Sequence, residues 1–224
     1  MEPRNLLFSP SMLGGDFSRA AFEIGEIVSS GADYVHLDVM DGSFVPEITF
    51  GRKFISDLRP LTDLVFDVHL MVERPEEKIG AFASAGAGII TVHAESTDHI
   101  VRCLSMIREA GCESGIAINP GTSVSFIEAA LPFADYVTVM TVNPGWGGQR
   151  FIPECISKVE ELDRRRKDEG WQFLIEADGG VSLDTIGPLY KAGMDIAVTG
   201  TAFFREDDKA DFLERMREKA EEWL

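Results

Sequence analysis

The chain is poor in cysteine: Cys103, Cys112 and Cys155 are the only three, and none sits in a C-x-x-C pair. An odd, scattered set excludes a disulfide framework and a zinc knuckle and makes a reducing compartment the default. Basic residues are also scarce, 21 Lys and Arg against 38 Asp and Glu, for a formal net charge of −17. Such a chain repels nucleic acid and anionic membrane, which removes both as partners. For most of the acidic residues solubility is explanation enough. An anionic substrate cannot be recruited by overall charge and must be held by a local group of N–H donors. No stretch approaches the roughly 20 apolar residues of a membrane helix, and MEPRNLLFSPS lacks the apolar run of a signal peptide. A soluble, cytoplasmic protein is expected. No linker or low-complexity tract divides the 224 residues, so one domain over residues 1–224 is expected.

What is present is an alternation. Short apolar, β-rich runs recur at Asn5–Phe8, Tyr34–Val39, Leu64–Met71, Gly88–His93, Ser114–Asn119, Tyr136–Val142, Gln172–Ala177 and Asp195–Thr199. Between them lie stretches of helical period at Asp16–Ser30, Pro75–Ala85, Asp98–Ala110, Val124–Leu131, Pro153–Glu169, Ser182–Ala192 and Asp207–Trp223. Ser125 and Ser182 are expected to precede helices, with Pro75 and Pro153 near first turns. Gly31, Gly86, Gly111, Gly170 and Gly193 are expected to stop them. Strand–helix alternation repeated eight times implies parallel pairing with crossover helices, and at this length a closed (β/α)₈ TIM barrel. The rival, an open doubly wound sheet, lacks a G-x-G-x-x-G after its first strand.

In such a barrel the chemistry lies at the C-terminal strand ends. Those ends carry Ser11, His36 and Asp38, His69, His93, Asn119, Met140, Asp178 and Gly200–Thr201. Positions two apart on a strand share a face, so His36 and Asp38 point together. His69 can face the same lumen, and Asp178 stands across the mouth. A histidine on a strand is commonly a hydrogen-bonded core residue, and an Asp before Gly a turn residue. Two imidazoles and two carboxylates converging on one mouth instead suit zinc, manganese or iron. Asp38 and Asp178 could also serve as opposed acid/base groups flanking a planar enediolate, with a bound cation stabilising its charge. The alternative, that both are ligands only, stays open here. The glycine-rich segments Asn143–Gln149, Asp178–Gly180 and Gly200–Thr201 could ring a phosphate with backbone N–H groups, and the first could act as a lid. Met40, Met71 and Met140 would wall the reacting carbons. His93, Glu95 and Asn119 are expected to fix loops rather than to react.

At this point a resemblance becomes specific. Ser9–Leu13 (SPSML), His36–Pro46 (HLDVMDGSFVP), Asp67–Val72 (DVHLMV), Val139–Pro153 (VMTVNPGWGGQRFIP) and Glu176–Val181 (EADGGV) resemble ribulose-phosphate 3-epimerases, in the right order over nearly the whole chain. The resemblance implies reversible conversion of ribulose 5-phosphate to xylulose 5-phosphate. It implies one divalent metal ion, zinc ahead of iron, manganese or cobalt, on His36, Asp38, His69 and Asp178. It makes Asp38 and Asp178 the acid/base pair and puts Ser11 and His69 on the sugar. It sets Met40, Met71 and Met140 at the enediolate. It assigns Gly145, Trp146, Gly147, Gly148, Gly179, Gly180, Gly200 and Thr201 to substrate, chiefly around its phosphate. Self-association into a homo-oligomer is implied too. One departure is Glu47, where such enzymes typically have Asn; an added negative charge near the mouth bears on sugar preference. The nearest alternative is an allulose-6-phosphate (ketohexose phosphate) 3-epimerase, and a more distant one a non-catalytic sugar-phosphate sensor. A barrel decarboxylase would need Lys in a D-x-K arrangement, and Met40 occupies that position.

Overall fold

The computed structural model of the chain describes residues 5–224, so the first four residues of MEPRNLLFSPS lie outside it. The strands are β1 (Leu7–Pro10), β2 (Tyr34–Met40), β3 (Val65–Met71), β4 (Ile89–His93), β5 (Glu113–Ile118), β6 (Tyr136–Met140), β7 (Leu174–Asp178) and β8 (Ile196–Thr199). They pair in parallel in the order β1-β8-β7-β6-β5-β4-β3-β2. The two end strands meet through a single bridge, Ser11 to His36, and a bond from Asp33 N–H to the Phe8 carbonyl at 3.0 Å. The result is the expected (β/α)₈ barrel. The helices are α1 (Ala20–Ser29), α2 (Arg52–Leu58), α3 (Ile79–Ser84), α4 (Ile100–Glu109), α5 (Val124–Ile127), α6 (Ile156–Glu169), α7 (Ile186–Ala192), α8 (Thr201–Phe204) and α9 (Lys209–Glu221). No helix among the described residues is long and apolar enough to cross a membrane.

Four local expectations need correction. The first strand runs two residues later than its apolar run, because its ladder to β8 extends through Pro10, which needs no N–H at a strand end. Helix α2 was not anticipated; only Ile55 and Leu58 are buried along it, too few to mark a period. Ser125 lies inside α5, where Ser123 holds the flanking position. Ser182 stands ahead of Thr185, the residue that flanks α7. The five stop glycines behave as read, each with positive φ.

Outward-facing strand residues such as Val35, Leu37, Phe66, Val68, Ile90 and Ile175 are fully buried beneath the helices. Both faces of a parallel strand are covered, which is why the strands read as continuous apolar runs. The inward-facing residues stack in layers along the barrel axis. At the base Leu7, Tyr34, Ile89, Tyr136, Leu174 and Ile196 form an apolar plug. Further along, six of the strands turn polar on this inner face, at Ser9, His36, Asp67, Thr91, Thr138 and Glu176, all at most 2 % exposed, while β8 keeps the apolar Val198. Two residues beyond lie Ser11, Asp38, Met140 and Asp178, at the floor of the mouth, with His69 and His93 buried just beneath it.

Candidate metal centre and substrate cleft

The parallel register between β2 and β3 sets His36 beside Asp67 and Asp38 beside His69. Strand β7 brings Asp178 across from them. His36 Nε2 lies 3.4 Å from Asp38 Oδ1 and 3.9 Å from Asp178 Oδ2. His69 Nδ1 lies 3.3 Å from Asp38 Oδ1 and 3.5 Å from Asp178 Oδ2. One ligand atom from each of the four side chains falls within 4.8 Å of all the others. Ligands held about 2.0–2.1 Å from a tetrahedral ion stand about 3.3–3.4 Å apart, so the spacing fits one cation among them.

A second observation agrees. His36 Nε2 and His69 Nδ1 are buried and have no hydrogen-bond partner among the described residues. An orphaned buried ring nitrogen costs about 1–3 kcal/mol, and two of them aimed at one point between two carboxylates suit a metal. Charge points the same way. Burial disfavours a proton on His36, yet the carboxylates of Asp67 and Asp38 outweigh it and hold its pKa well above the usual value. Burial likewise opposes charge on His69, but the nearby carboxylates of Asp178 and Asp38 outweigh it and raise its pKa to about 9. Burial works against an ionised Asp38, and the two imidazoles more than reverse that, holding it far below the ordinary carboxylate range. The pocket is built to hold positive charge between carboxylates.

The polar layer beneath orients the imidazoles. Asp67 Oδ2 takes the His36 Nδ1 proton at 2.6 Å and a bond from Ser9 Oγ at 3.0 Å. That leaves His36 Nε2 bare and upward. His36, Asp67 and Glu176 form a second cluster of ligand-type atoms, but a sealed one. Burial, with the Asp67 charge added, pushes the Glu176 carboxyl well above its usual value, so it stays neutral and accepts from Thr138 Oγ1 at 2.8 Å. A neutral acid with no opening to solvent is no metal ligand. On the other side, His69 Nε2 meets His93 Nε2 at 2.9 Å, and His93 Nδ1 meets Glu95 Oε2 at 3.2 Å. Burial first, and then the nearby His69, lower the His93 pKa to about 4. Burial tends to raise Glu95, but bonds from His93, Thr122 and the Asn119 N–H bring it to about 2.

Above these groups opens a cleft of about 310 Å³. Asp38 and Asp178 reach its floor, and Met40, Met71 and Met140 line it with Ser11, whose Oγ donates to Asp38 Oδ2 at 2.5 Å. His36 and His69 are fully buried below the floor. All the glycine-loop residues named from sequence also line the cleft: Gly145, Trp146, Gly147, Gly148, Gly179, Gly180, Gly200 and Thr201. Gly179 has φ of +115° and would place a Cβ 2.4 Å from Val142 Cγ2, so no other residue fits. Gly14, unremarked in the sequence, lies so close that a Cβ would sit 2.5 Å from the Gly200 carbonyl carbon. Gln149 Nε2 ties the loop to itself through the Asn143 and Trp146 carbonyls. Glu47 is exposed and absent from the cleft lining; its carbonyl accepts from Gly42 N–H at 3.0 Å.

Sequence reasoning missed three further groups. Asp67 stands two residues before His69, and the alternation that paired His36 with Asp38 would have turned it inward too. His93 and Glu95 were assigned to loop fixing, which Glu95 does, accepting from Asn119 N–H at 2.8 Å and from Thr122 Oγ1. Their contact with His69 depends on a cross-strand distance that no spacing reveals. Among the described residues Arg205 is the only Lys or Arg that lines the cleft.

Residues 7–204 match the model of the ribulose-phosphate 3 epimerase family. The ribulose-phosphate 3-epimerase of Bacillus subtilis (strain 168) is 43% identical over 210 residues, 93% of this chain and 97% of that one. That of Escherichia coli (strain K12) is 39% identical over 215 residues, 96% of each chain. Among solved structures, 3-keto-L-gulonate-6-phosphate decarboxylase from Vibrio cholerae superposes with a TM-score of 0.73 over 99% of this chain and 100% of that one, at 15% identity. That likeness is one of fold alone.

Proposed function

Because the chain belongs to the ribulose-phosphate 3-epimerase family, isomerase-class enzymes acting on sugar phosphates, we propose that it interconverts D-ribulose 5-phosphate and D-xylulose 5-phosphate through an enediolate with two proton-transfer groups. The observation that carries the reading is the meeting of Asp38 and Asp178 at the floor of one cleft, around two unpartnered imidazole nitrogens. His36, Asp38, His69 and Asp178 would hold one divalent ion, zinc foremost. Bound there, it would supply positive charge against the negative charge that develops on the sugar oxygens, and would help keep one carboxylate ionised, as the base must be.

The remaining work falls to the chain's own side chains. One carboxylate removes the C3 proton from its face of the sugar, and the other returns a proton from the opposite face. Ser11 Oγ, bonded to Asp38 Oδ2, fixes that carboxylate and can pass its bond to a sugar hydroxyl. Met40, Met71 and Met140 border the planar intermediate with groups that neither donate nor remove protons. The backbone of Gly179, Gly180, Gly200 and Thr201 takes the phosphate end, where a net charge of −17 would otherwise oppose an anion. The loop carrying Trp146 closes over the sugar and keeps water from the carbanion-like intermediate.

The test is an epimerisation assay in deuterated water with zinc-reconstituted protein, on ribulose 5-phosphate and allulose 6-phosphate in parallel. Turnover on the pentulose with deuterium entering C3, lost on chelation and restored by metal, is expected. Turnover with full retention of the C3 proton would exclude the proton-transfer chemistry, and preference for the hexulose would transfer the assignment to the ketohexose phosphate.

A further inference from the structure

A metal ligand must present a lone pair, and a histidine has one only on the ring nitrogen that carries no proton. For His36 the choice is fixed by Asp67, a carboxylate bonded directly to Nδ1 at 2.6 Å. For His69 no carboxylate occupies the equivalent place. Its Nε2 faces another histidine, His93 Nε2, at 2.9 Å, and that pair alone is indifferent. Either ring can donate, and if His93 donates, the His69 proton sits on Nδ1, the atom aimed between Asp38 and Asp178.

The indifference ends one residue further out. His93 Nδ1 faces Glu95 Oε2 at 3.2 Å, and an ionised carboxylate only accepts. His93 must then carry its proton on Nδ1, so its Nε2 accepts, His69 Nε2 donates, and His69 Nδ1 is left with its lone pair facing the cluster. The two rings lie 20° from coplanar with centroids 5.0 Å apart, edge to edge as an N–H···N bond requires. His69 and His93 are fully buried, so no water can substitute for either partner. Glu95 is itself held in register: Oε1 accepts from Asn119 N–H and from Thr122 Oγ1, leaving Oε2 for His93.

We propose that Glu95 is a positioning residue for the metal centre: acting through His93, it dictates which ring nitrogen of His69 bears the proton and so makes His69 a ligand. The inference rests on the metal reading above and adds a remote determinant to it. It also accounts for a carboxylate on the loop after β4 that lies outside the cleft lining.

The isosteric change Glu95→Gln tests it. Two donors face Oε1, so the amide oxygen goes there and the amide N–H₂ turns to His93 Nδ1. That reverses the chain: His93 Nδ1 accepts, its Nε2 donates, and the His69 proton moves to Nδ1. Zinc affinity, read at fixed pH by competition with a chromophoric chelator, should fall about 10–100-fold, the range for loss of an orienting partner. Equal affinity in Glu95→Gln and parent would overturn the proposal. Should Glu95→Gln fail to fold, His93→Gln and His93→Leu decide the matter. The first keeps an acceptor for His69 Nε2–H and should stay near parental affinity; the second keeps none and should weaken. Equal affinity in that pair would also overturn it. If the parent's zinc affinity is indifferent to His36→Ala, the metal reading itself has failed and the proposal falls with it; parental binding that is lost in His36→Ala but unchanged in Glu95→Gln removes only the role of Glu95.

Discussion

The substitution Asp178→Asn separates a proton-transfer group from a residue that merely shapes the cleft. The carboxamide has the size of the carboxylate, and the main-chain tie of this residue survives: the Asp178 carbonyl accepts from Thr141 N–H at 2.7 Å and Thr141 Oγ1 at 3.0 Å. The barrel should therefore fold, with a far-UV spectrum like the parent's. What is lost is one of two carboxylates beside His36 Nε2 and His69 Nδ1, and with it the group that the proposed scheme uses to move a proton at carbon. Removing a positioned acid/base group typically costs 10²- to 10⁴-fold, so kcat should fall by about that factor, roughly 3–5 kcal/mol of transition-state stabilisation. A contact made equally in ground and transition states would raise KM and spare kcat. The assay is steady-state epimerisation at saturating zinc, coupled to a xylulose 5-phosphate-consuming enzyme, with deuterium wash-in followed for each epimer separately. If Asp38 serves one face and Asp178 the other, the epimer approached by Asp178 stops exchanging while its counterpart still exchanges through Asp38. A kcat within tenfold of the parent, or equal surviving exchange in both epimers, would refute the two-carboxylate scheme.

Two further predictions concern groups away from the reacting carbon. Arg205→Ala removes the only cation among the described residues that line the cleft, in a chain with net charge −17. As an exposed partner for a phosphate it should raise KM by about two- to fivefold and spare kcat; an unchanged KM would remove Arg205 from the phosphate site. Asp135, at the base of the barrel, accepts from Ser114 N–H at 2.8 Å and from Arg108 at 2.7 and 3.1 Å. Burial tends to raise its pKa, but these bonds outweigh it and lower the value. A carboxylate lowered in the folded state stabilises above its unfolded value and loses that contribution as pH falls through the folded one. With the side chain about a third exposed, Asp135→Asn should cost only about 1 kcal/mol at pH 7, a Tm drop of about 2–4 °C, and the gap to the parent should close below about pH 4. A gap that widens on acidification would contradict the assignment.

The barrel was legible because parallel strands covered on both faces leave apolar runs that no other arrangement produces at such regular intervals. The short helices α2 and α8 were not, since one turn or two of helix bury too few side chains to show a period. The four candidate ligands could be read because each lies at the mouth and the i, i+2 rule orients His36 with Asp38. The polar layer beneath was not read. Asp67 and Glu176 stand among apolar neighbours, and their meeting with His36 is a matter of barrel closure rather than local pattern. His93 and Glu95 were seen and assigned a lesser part, because a chain of contacts through two rings is invisible until strand register supplies the distances.

The way the barrel closes bears on how the protein would fail. Among the described residues seven of the eight strand junctions are continuous ladders, while β1 and β2 meet only at the Ser11–His36 bridge and the Asp33–Phe8 backbone bond. The thinnest seam thus runs through a residue of the cleft and one of the four candidate ligands. Partial opening on warming begins where the backbone is least stitched, so here it would part Ser11 from Asp38 while the other seven junctions still stand. Such a molecule loses its turnover before it loses its shape.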